Sequence, residues 1–119
     1  MTVLDASAAL AFLQGEKGSE VVRQHLSDSV IGAANLAEVL ARLPGAVERS
    51  LAEAILIGSG VRSEAVSADD ARRSVQIKDS MPALSLGDRL CLALADRRND
   101  LVLTADRAWG KSDRILQIR

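Results

Sequence analysis

Four acidic residues, each placed where an apolar stretch meets the start of a helix, are the side chains of this chain best suited to chemistry. They are Asp5, Glu38, Asp88 and Asp106. The first follows the apolar run 2–4, and the last follows the apolar run 101–103. Ligands of open α/β sheets bind outside the carboxyl ends of the strands. We therefore expect the four carboxylates to face one shared crevice.

Carboxylates gathered in one crevice need a cation. Two of them about 4 Å apart would repel by roughly 4 kcal/mol at an effective dielectric constant near 20, so four would take up protons unless a divalent ion neutralised them. Cys91 and His25 are the only thiol and imidazole of the chain. The expected ligands are therefore oxygens, which suit Mg²⁺ or Mn²⁺. These ions assist phosphate chemistry, so the expected reaction is hydrolysis of a phosphodiester bond.

Each acid also has a structural explanation, because helix starts favour acidic residues. Residues 35–38 fit a capping box formed by Asn35 and Glu38, and residues 85–88 resemble one formed by Ser85 and Asp88. The other two acids fit simple N-caps. Taken singly, capping explains each acid better than catalysis does. The helices that begin after Asp5 and at residue 86 are apolar all round, which indicates that they are buried. A buried carboxylate is costly unless it is paired or bound to a metal, so these two helices favour the metal-site explanation over capping.

A few other side chains could support the acids. Ser7 and Thr104 each lie two residues from an acid and could orient a carboxylate or hold a water, although capping of their own backbone explains them equally well. Cys91 lies between leucines and is expected to be a small core residue. Trp109 is expected to pack the last loop against the body of the protein.

Apolar runs alternate with helical patterns along the chain, which favours an α/β fold with a parallel sheet between helices. Gly15 and the pair Pro44-Gly45 are expected to end helices, and the third helix is expected to open at Asn35. The predicted strands are residues 2–4, 30–33, 62–66, 101–103 and 115–118. The predicted helices are residues 6–14, 19–26, 35–43, 47–57, 68–78 and 85–98.

Length and composition indicate one domain, residues 1–119, with an aliphatic core. The chain is 48% hydrophobic but only 2% aromatic, so Leu, Val, Ile and Ala must fill that core. No stretch is long and apolar enough to span a bilayer, and the first residues lack the basic segment of a signal peptide. We expect a cytoplasmic protein that does not bind membranes.

The net charge of −1 is low for a nucleic-acid partner, since such domains usually carry a basic surplus. If the four acids bind a metal, however, 12 acidic residues remain against 15 Lys and Arg. Arginine suits bidentate phosphate contacts, although any single arginine is more often part of a solvated helix face. The arginines that stand out are Arg72, Arg73, Arg97, Arg98, Arg107 and Arg114.

Four tracts resemble motifs of the PIN-domain ribonucleases, and more narrowly of the VapC-type toxins of bacterial toxin–antitoxin pairs. They are VLDASA at residues 3–8, NLAEV at 35–39, LSLGDR at 84–89 and LTADRAW at 103–109. The tracts occur in the family's order. The likeness spans essentially the full chain and is weakest from residue 44 to residue 81.

The resemblance implies a PIN-like three-layer α/β/α sandwich with a central, mostly parallel sheet of four to five strands. It also implies that the four acids are the family's acidic quartet. In that arrangement Asp5, Asp88 and Asp106 would hold Mg²⁺ or Mn²⁺, and Glu38 would be a further ligand or a base that orients water.

By the same resemblance, the protein is expected to be a Mg²⁺-dependent endoribonuclease and the toxin of a type II toxin–antitoxin module. Its substrate would be an RNA, with transfer RNA and ribosomal RNA as candidates. A cognate antitoxin would inhibit it, and the toxin would form a homodimer. Thr104 matches a hydroxyl that often precedes the last acid of the family. Asp113 is the nearest match to an extra acid that some relatives carry.

Two other classes of function compete with a nuclease. One is a catalytically inactive PIN-like module that binds RNA or a protein partner, since acids at helix caps can be kept for stability alone. The other is a Mg²⁺-dependent phosphatase on a similar sheet. Such phosphatases need an acid two residues after the first Asp, where this chain has Ser7, and this alternative ranks last.

Overall fold

Five short strands form one parallel sheet in the computed structural model, which describes all 119 residues. The strands are β1 Thr2–Leu4, β2 Ser29–Gly32, β3 Arg62–Glu64, β4 Leu101–Thr104 and β5 Ile115–Gln117. The helices are α1 Ala6–Gln14, α2 Ser19–Arg23, α3 Ala33–Ala41, α4 Ala46–Gly58, α5 Ala68–Ser80 and α6 Leu86–Arg98, with 3₁₀ turns at Leu26–Asp28 and Arg107–Trp109. None of the helices combines the length and the apolar character that crossing a membrane requires.

The central strands are apolar on both faces, and this places helices on both sides of the sheet. Successive strand residues point to opposite faces. Leu4, Ile31 and Leu103 pack with α1, α2 and buried residues of α3 and α4. Val3 and Val102 pack on the other face against α5 and α6. A three-layer α/β/α sandwich with an all-parallel sheet results, which confirms the predicted fold class.

The order of the strands determines where a ligand site can form. The sheet runs β3-β2-β1-β4-β5, so the chain moves outward on one side of β1 and later returns to its other side at β4. The switch point therefore lies between β1 and β4, whose residues Leu4 and Leu103 are partners in the register. Crevices that bind ligands form at this point, outside the carboxyl ends of the strands. Asp5 and Asp106 follow these two strands directly or after one residue.

Most element boundaries agree with the predictions to within one or two residues, and Gly15 ends α1 with a φ of 65° as expected. The third helix is the informative exception. It begins at Ala33 after the N-cap Gly32, which has extended backbone angles. The helix therefore opens two residues before Asn35. The second predicted helix is also shorter than expected and stops at Arg23.

Candidate functional site

All four predicted acids line one cleft at the carboxyl edge of the sheet. The cleft has a volume of about 340 Å³. Asp5 enters it from the end of β1, Glu38 from α3, Asp88 from the first turn of α6, and Asp106 from the loop after β4. Asp5 and Asp106, at opposite ends of the chain, thus line the same cleft. Arg42, which the sequence analysis did not single out, also lines the cleft.

Asp5 is the buried acid of the group, with only 3% of its surface exposed. As the N-cap of α1 it accepts a hydrogen bond from the amide of Ala8 at 2.8 Å. The hydroxyl of Ser7 donates to it at 2.7 Å, and the hydroxyl of Thr104 donates to it at 2.5 Å. A carboxylate offers about four acceptor positions, so these three donors leave about one position for another partner.

The two hydroxyls connect Asp5 to the loop after β4. Ser7 Oγ accepts a hydrogen bond from the amide of Ala105 at 2.8 Å, and Thr104 Oγ1 accepts one from the amide of Asp106 at 3.0 Å. Each hydroxyl therefore accepts a hydrogen bond from a backbone N–H and donates its own hydrogen bond to Asp5. Both hydroxyls donate to Asp5, and their supporting role at the site stays a prediction.

Burial raises the pKa of Asp5 from 3.8 to about 6. The hydrogen bonds from Thr104, Ala8 and Ser7 act in the opposite direction, because they stabilise the ionised form. The negative charge of Asp88 raises the pKa further. The loss of hydration raises the pKa more than the three hydrogen-bond donors lower it. Ionised Asp5 is therefore energetically unfavourable in the metal-free site.

Cys91 lies beneath the same acids. Burial raises the pKa of its thiol well above the usual value, and the charges of Asp5, Asp88 and Glu38 raise it more. The side chain is fully buried, and its Sγ lies 3.9 Å from the carbonyl oxygen of Leu4. Cys91 is therefore a neutral core residue, in agreement with its prediction.

Two of the acids are caps as well as cleft residues. Asp88 completes a capping box with Ser85, in which its Oδ2 accepts the Ser85 amide at 3.3 Å and its own amide donates to Ser85 Oγ at 3.2 Å. Asp106 caps the following 3₁₀ turn through Oδ1, which accepts the amide of Ala108 at 2.9 Å. In each carboxylate the second oxygen has no hydrogen bond within the protein. Capping and metal binding are therefore compatible.

The predicted capping box between Asn35 and Glu38 is wrong. Because α3 begins at Ala33, both side chains lie inside the helix. Asn35 is 1% exposed, and its Nδ2 donates to Glu38 Oε1 at 2.9 Å and to the carbonyl of Gly87 at 3.2 Å. Asn35 therefore fixes the Glu38 carboxylate against the start of α6 and does not satisfy the end of its own helix.

Gly87 permits this approach. A Cβ atom at this position would lie 2.6 Å from Glu38 Oε2 and 2.7 Å from Glu38 Oε1. Any other residue at 87 would therefore displace the Glu38 carboxylate. In the sequence, the only sign of this close contact is a Gly in the first turn of a predicted helix, one position before Asp88.

Asp113 lies outside the acid-lined cleft. It borders a different depression together with residues 99–101, near the start of β4. The arginines that stood out in the sequence are also mostly engaged elsewhere. Five of the six form ion pairs with carboxylates: Arg72 with Asp69, Arg73 and Arg114 with Asp96, Arg97 with Asp70, and Arg98 with Glu64 and Asp100. Only Arg107 has no such partner.

The cleft suits a hard divalent ion in its donor chemistry, since it offers carboxylate oxygens and no imidazole or accessible thiol. Asp5 keeps about one acceptor position, and Asp88 and Asp106 each have one oxygen without a hydrogen bond. However, no three acidic, His or Cys side chains lie close enough together to hold an ion as they are placed. Binding would therefore draw side chains such as the exposed Asp106 inward.

The fold and the cleft define a doubly wound α/β domain with an acid-lined crevice at its switch point. The PIN domain family model matches residues 2–115. The chain therefore belongs to the PIN domain family.

Solved structures with this fold include toxins, at low sequence identity. The chain matches a toxin–antitoxin complex from Klebsiella pneumoniae with a TM-score of 0.81 and 18% identity, covering 100% of this chain and 98% of that one. It matches VapC20 of Mycobacterium tuberculosis, described as a sarcin-ricin loop cleaving toxin, with a TM-score of 0.71, 18% identity and coverage of 95% and 98%.

A third match is DNA-bound VapBC from Salmonella typhimurium, with a TM-score of 0.72, 16% identity and coverage of 99% and 98%. No curated protein sequence matches the chain.

The contact between Gly87 and Glu38 leads to a first prediction. Gly87→Ala should change the free energy of unfolding by no more than about 1 kcal/mol, because the better helix propensity of Ala is opposed by the loss of the hydrogen bond from Asn35 to Glu38. It should also push the Glu38 carboxylate away from Asn35. In nitrogen–proton NMR spectra, the side-chain amide signals of Asn35 should shift strongly. Gly58→Ala is the matched control, since a Cβ there meets nothing within 4 Å. An unchanged Asn35 signal in Gly87→Ala would contradict the proposed contact.

The raised pKa of Asp5 leads to a second prediction, for the protein in a chelator. A carboxyl group whose pKa is higher in the folded state binds its proton more tightly there. Its contribution to stability is therefore full below pH 3.8 and is lost as the pH rises through about 6. Relative to Asp5→Asn, the wild-type free energy of unfolding should fall by about 2 kcal/mol between pH 4 and pH 7. Urea denaturation at several pH values measures it. A flat difference would contradict the burial of an ionised Asp5.

Proposed function

We propose that the chain is a metal-dependent endoribonuclease and the toxin of a type II toxin–antitoxin module. The observation that carries the proposal is the convergence of four carboxylates at the switch point of a PIN fold. Asp5, Asp88 and Asp106 would hold Mg²⁺ or Mn²⁺. When bound, the ion would stabilise the negative charge that develops on the phosphodiester during the reaction.

The chain's own residues would then position the reactants. Glu38, fixed by Asn35 at 2.9 Å, would act as a ligand or would orient the attacking water and accept its proton. The water oxygen forms a bond to phosphorus as the bond to the leaving ester oxygen breaks, and a proton returns to that oxygen. Ser7 and Thr104 would keep Asp5 oriented and ionised through their hydroxyl donors. Arg42 would lie beside the phosphate, since it lines the same cleft.

Loss of one cleft carboxylate should abolish the reaction while keeping the fold. Asp106→Asn retains the oxygen that caps Ala108, and the residue is exposed, so the melting temperature should change little. Cleavage of a labelled single-stranded RNA with Mg²⁺ should fall by about 100-fold or more, and a chelator should stop the wild type.

Asp113→Asn is the matched control, because this acid lies outside the cleft, and it should cleave at the wild-type rate. Cleavage by Asp106→Asn at the wild-type rate would contradict the assignment of this acid. Purification of both variants side by side controls for contaminating nucleases.

The second candidate is an inactive PIN-like module that binds RNA or a protein. It is favoured by two observations: no three acids are close enough to hold an ion, and Asp5, Asp88 and Asp106 all serve as caps. Calorimetric titration with Mg²⁺ separates the candidates. A nuclease site should bind the ion and raise the melting temperature, whereas an inactive module should show neither effect.

We further propose that an antitoxin covers the apolar row on α4. Val47, Leu51 and Ile55 are spaced four residues apart on this helix and are 77%, 59% and 41% exposed. Such a row on one helical face is suited to a protein partner. Several structural neighbours are toxin–antitoxin complexes, which supports an antitoxin as the occupant. A homodimer is also proposed, from the family resemblance alone, and light scattering of the purified chain tests it.

Leu51→Glu should prevent co-purification with a cognate antitoxin expressed from the adjacent reading frame, and RNA cleavage should remain. The exposed side chain makes the substitution harmless to the fold. Val75→Glu on α5 is the control, because Val75 is equally apolar and 61% exposed, and it should retain the antitoxin. Full retention of the antitoxin by Leu51→Glu would exclude this face.

A further inference from the structure

A second cleft, with basic walls, lies directly beside the acidic one. It has a volume of about 450 Å³ and is lined by Arg107, Gly110, Lys111, Gln117 and Arg119, with no acidic and no apolar side chain among them. Consecutive residues line the two clefts, since Asp106 lines the first and Arg107 lines the second. The sequence analysis marked only Arg107 of these residues as a phosphate candidate.

The cations of this basic cleft are not neutralised by the protein. No ion pair involves Arg107, Lys111 or Arg119. The only recorded bond of the Arg119 guanidinium is from Nη1 to the carbonyl of Lys17 at 3.1 Å, which leaves its other donors available. Three positive side chains around one depression, none of them paired with an acidic side chain, attract an anion.

The walls of the basic cleft are held in place by the fold. Gln117 Nε2 donates to the carbonyls of Asp106 and Gly110, both at 2.9 Å, so one side chain of β5 fixes both ends of the intervening turn. Trp109, within that turn, is 3% exposed and packs in the core. The backbone carrying Arg107 is therefore anchored before any ligand arrives, which lowers the cost of binding.

We infer that the basic cleft binds an RNA phosphate that neighbours the phosphate placed at the acidic cleft. The inference rests on the proposed nuclease function and names the part of the substrate that lies beyond the cleaved bond. A polynucleotide carries a charge at every residue, so a chain with one phosphate among the acids must place the next phosphate close by. Arg107 continues the chain directly from Asp106 and is positioned to receive it. Arginine and lysine are the usual phosphate contacts.

Salt dependence of RNA binding tests the inference without requiring cleavage. Binding of a fluorescent single-stranded RNA is measured in a chelator at several salt concentrations. The slope of log K against log salt is negative, and each lost phosphate contact reduces its magnitude by about 0.7. The double variant Arg107→Ala/Lys111→Ala removes two cations from a cleft that takes one phosphate, so its slope should be about 0.7 smaller in magnitude. The same slope in wild type and double variant would overturn the inference.

Arg62→Ala/Lys78→Ala is the matched control. It removes the same two charges, but Arg62 lies on β3 at the opposite edge of the sheet and Lys78 lies on α5. The control should keep the wild-type slope. An equal loss in the control would show an effect of net charge alone and would overturn the inference. Binding of a decaglutamate peptide without binding of RNA would also overturn it, in favour of an acidic protein segment.

Cleavage kinetics separate this inference from the proposed function. With Mg²⁺, wild type should show a lower KM for a pentanucleotide than for a dinucleotide. The double variant should lose that difference, and the control variant Arg62→Ala/Lys78→Ala should keep it. If wild type cleaves and the double variant keeps the length dependence, the inference fails and the nuclease function stands. If wild type cleaves nothing, the function fails, and a reduced salt slope in the double variant still supports phosphate binding.

Discussion

The buried charge of Asp5 is the constraint on which the candidate site depends. Its carboxylate sits at the switch point of the sheet, where burial raises its pKa to about 6. The donors that hold it, Ser7 and Thr104, also accept the amides of Ala105 and Asp106. The same two hydroxyls therefore stabilise the ionised form of Asp5 and fix the loop after β4. A change that loosens either hydroxyl would disturb two of the acids together.

The acids that stabilise the fold and those proposed for chemistry are the same residues. Asp88 and Asp106 each use one oxygen as a cap, and a cap fixes the direction of its carboxylate without using the second oxygen. Helix N-termini also favour negative charge. Capping thus offsets part of the repulsion among the acids. This explains how a metal-free domain can keep several carboxylates in one cleft and why capping does not argue against a site.

Local signals made much of this structure predictable. Strands that are apolar on both faces indicated a sheet between helices, and acids at strand ends indicated a shared crevice, because parallel strands end at one edge. Asn35 was misread because its pattern with Glu38 fits a local capping box, whereas its side chain bonds across to Gly87. A contact between α3 and α6 has no signature in the spacing of either segment. The basic cleft was missed because the contact of Gln117 on β5 with the turn after Asp106 also has no signature in the sequence.

Charge counted from the sequence was a poor guide to the surface that could meet RNA. The excess of basic residues over the acids outside the site suggested that many arginines were available. In the fold, Arg72 and Arg73 of α5 and Arg97 and Arg98 of α6 are neutralised by carboxylates. An example is the bidentate pair of Arg97 with the buried Asp70, 3.0 and 3.3 Å apart. Hydrogen bonds from Arg97 and Ser67 outweigh burial and hold the pKa of Asp70 below its usual value, so this pair is structural. A polyanion is attracted by the basic side chains that remain unpaired after such ion pairs have formed. On this chain they include an unpaired basic group beside the acidic cleft.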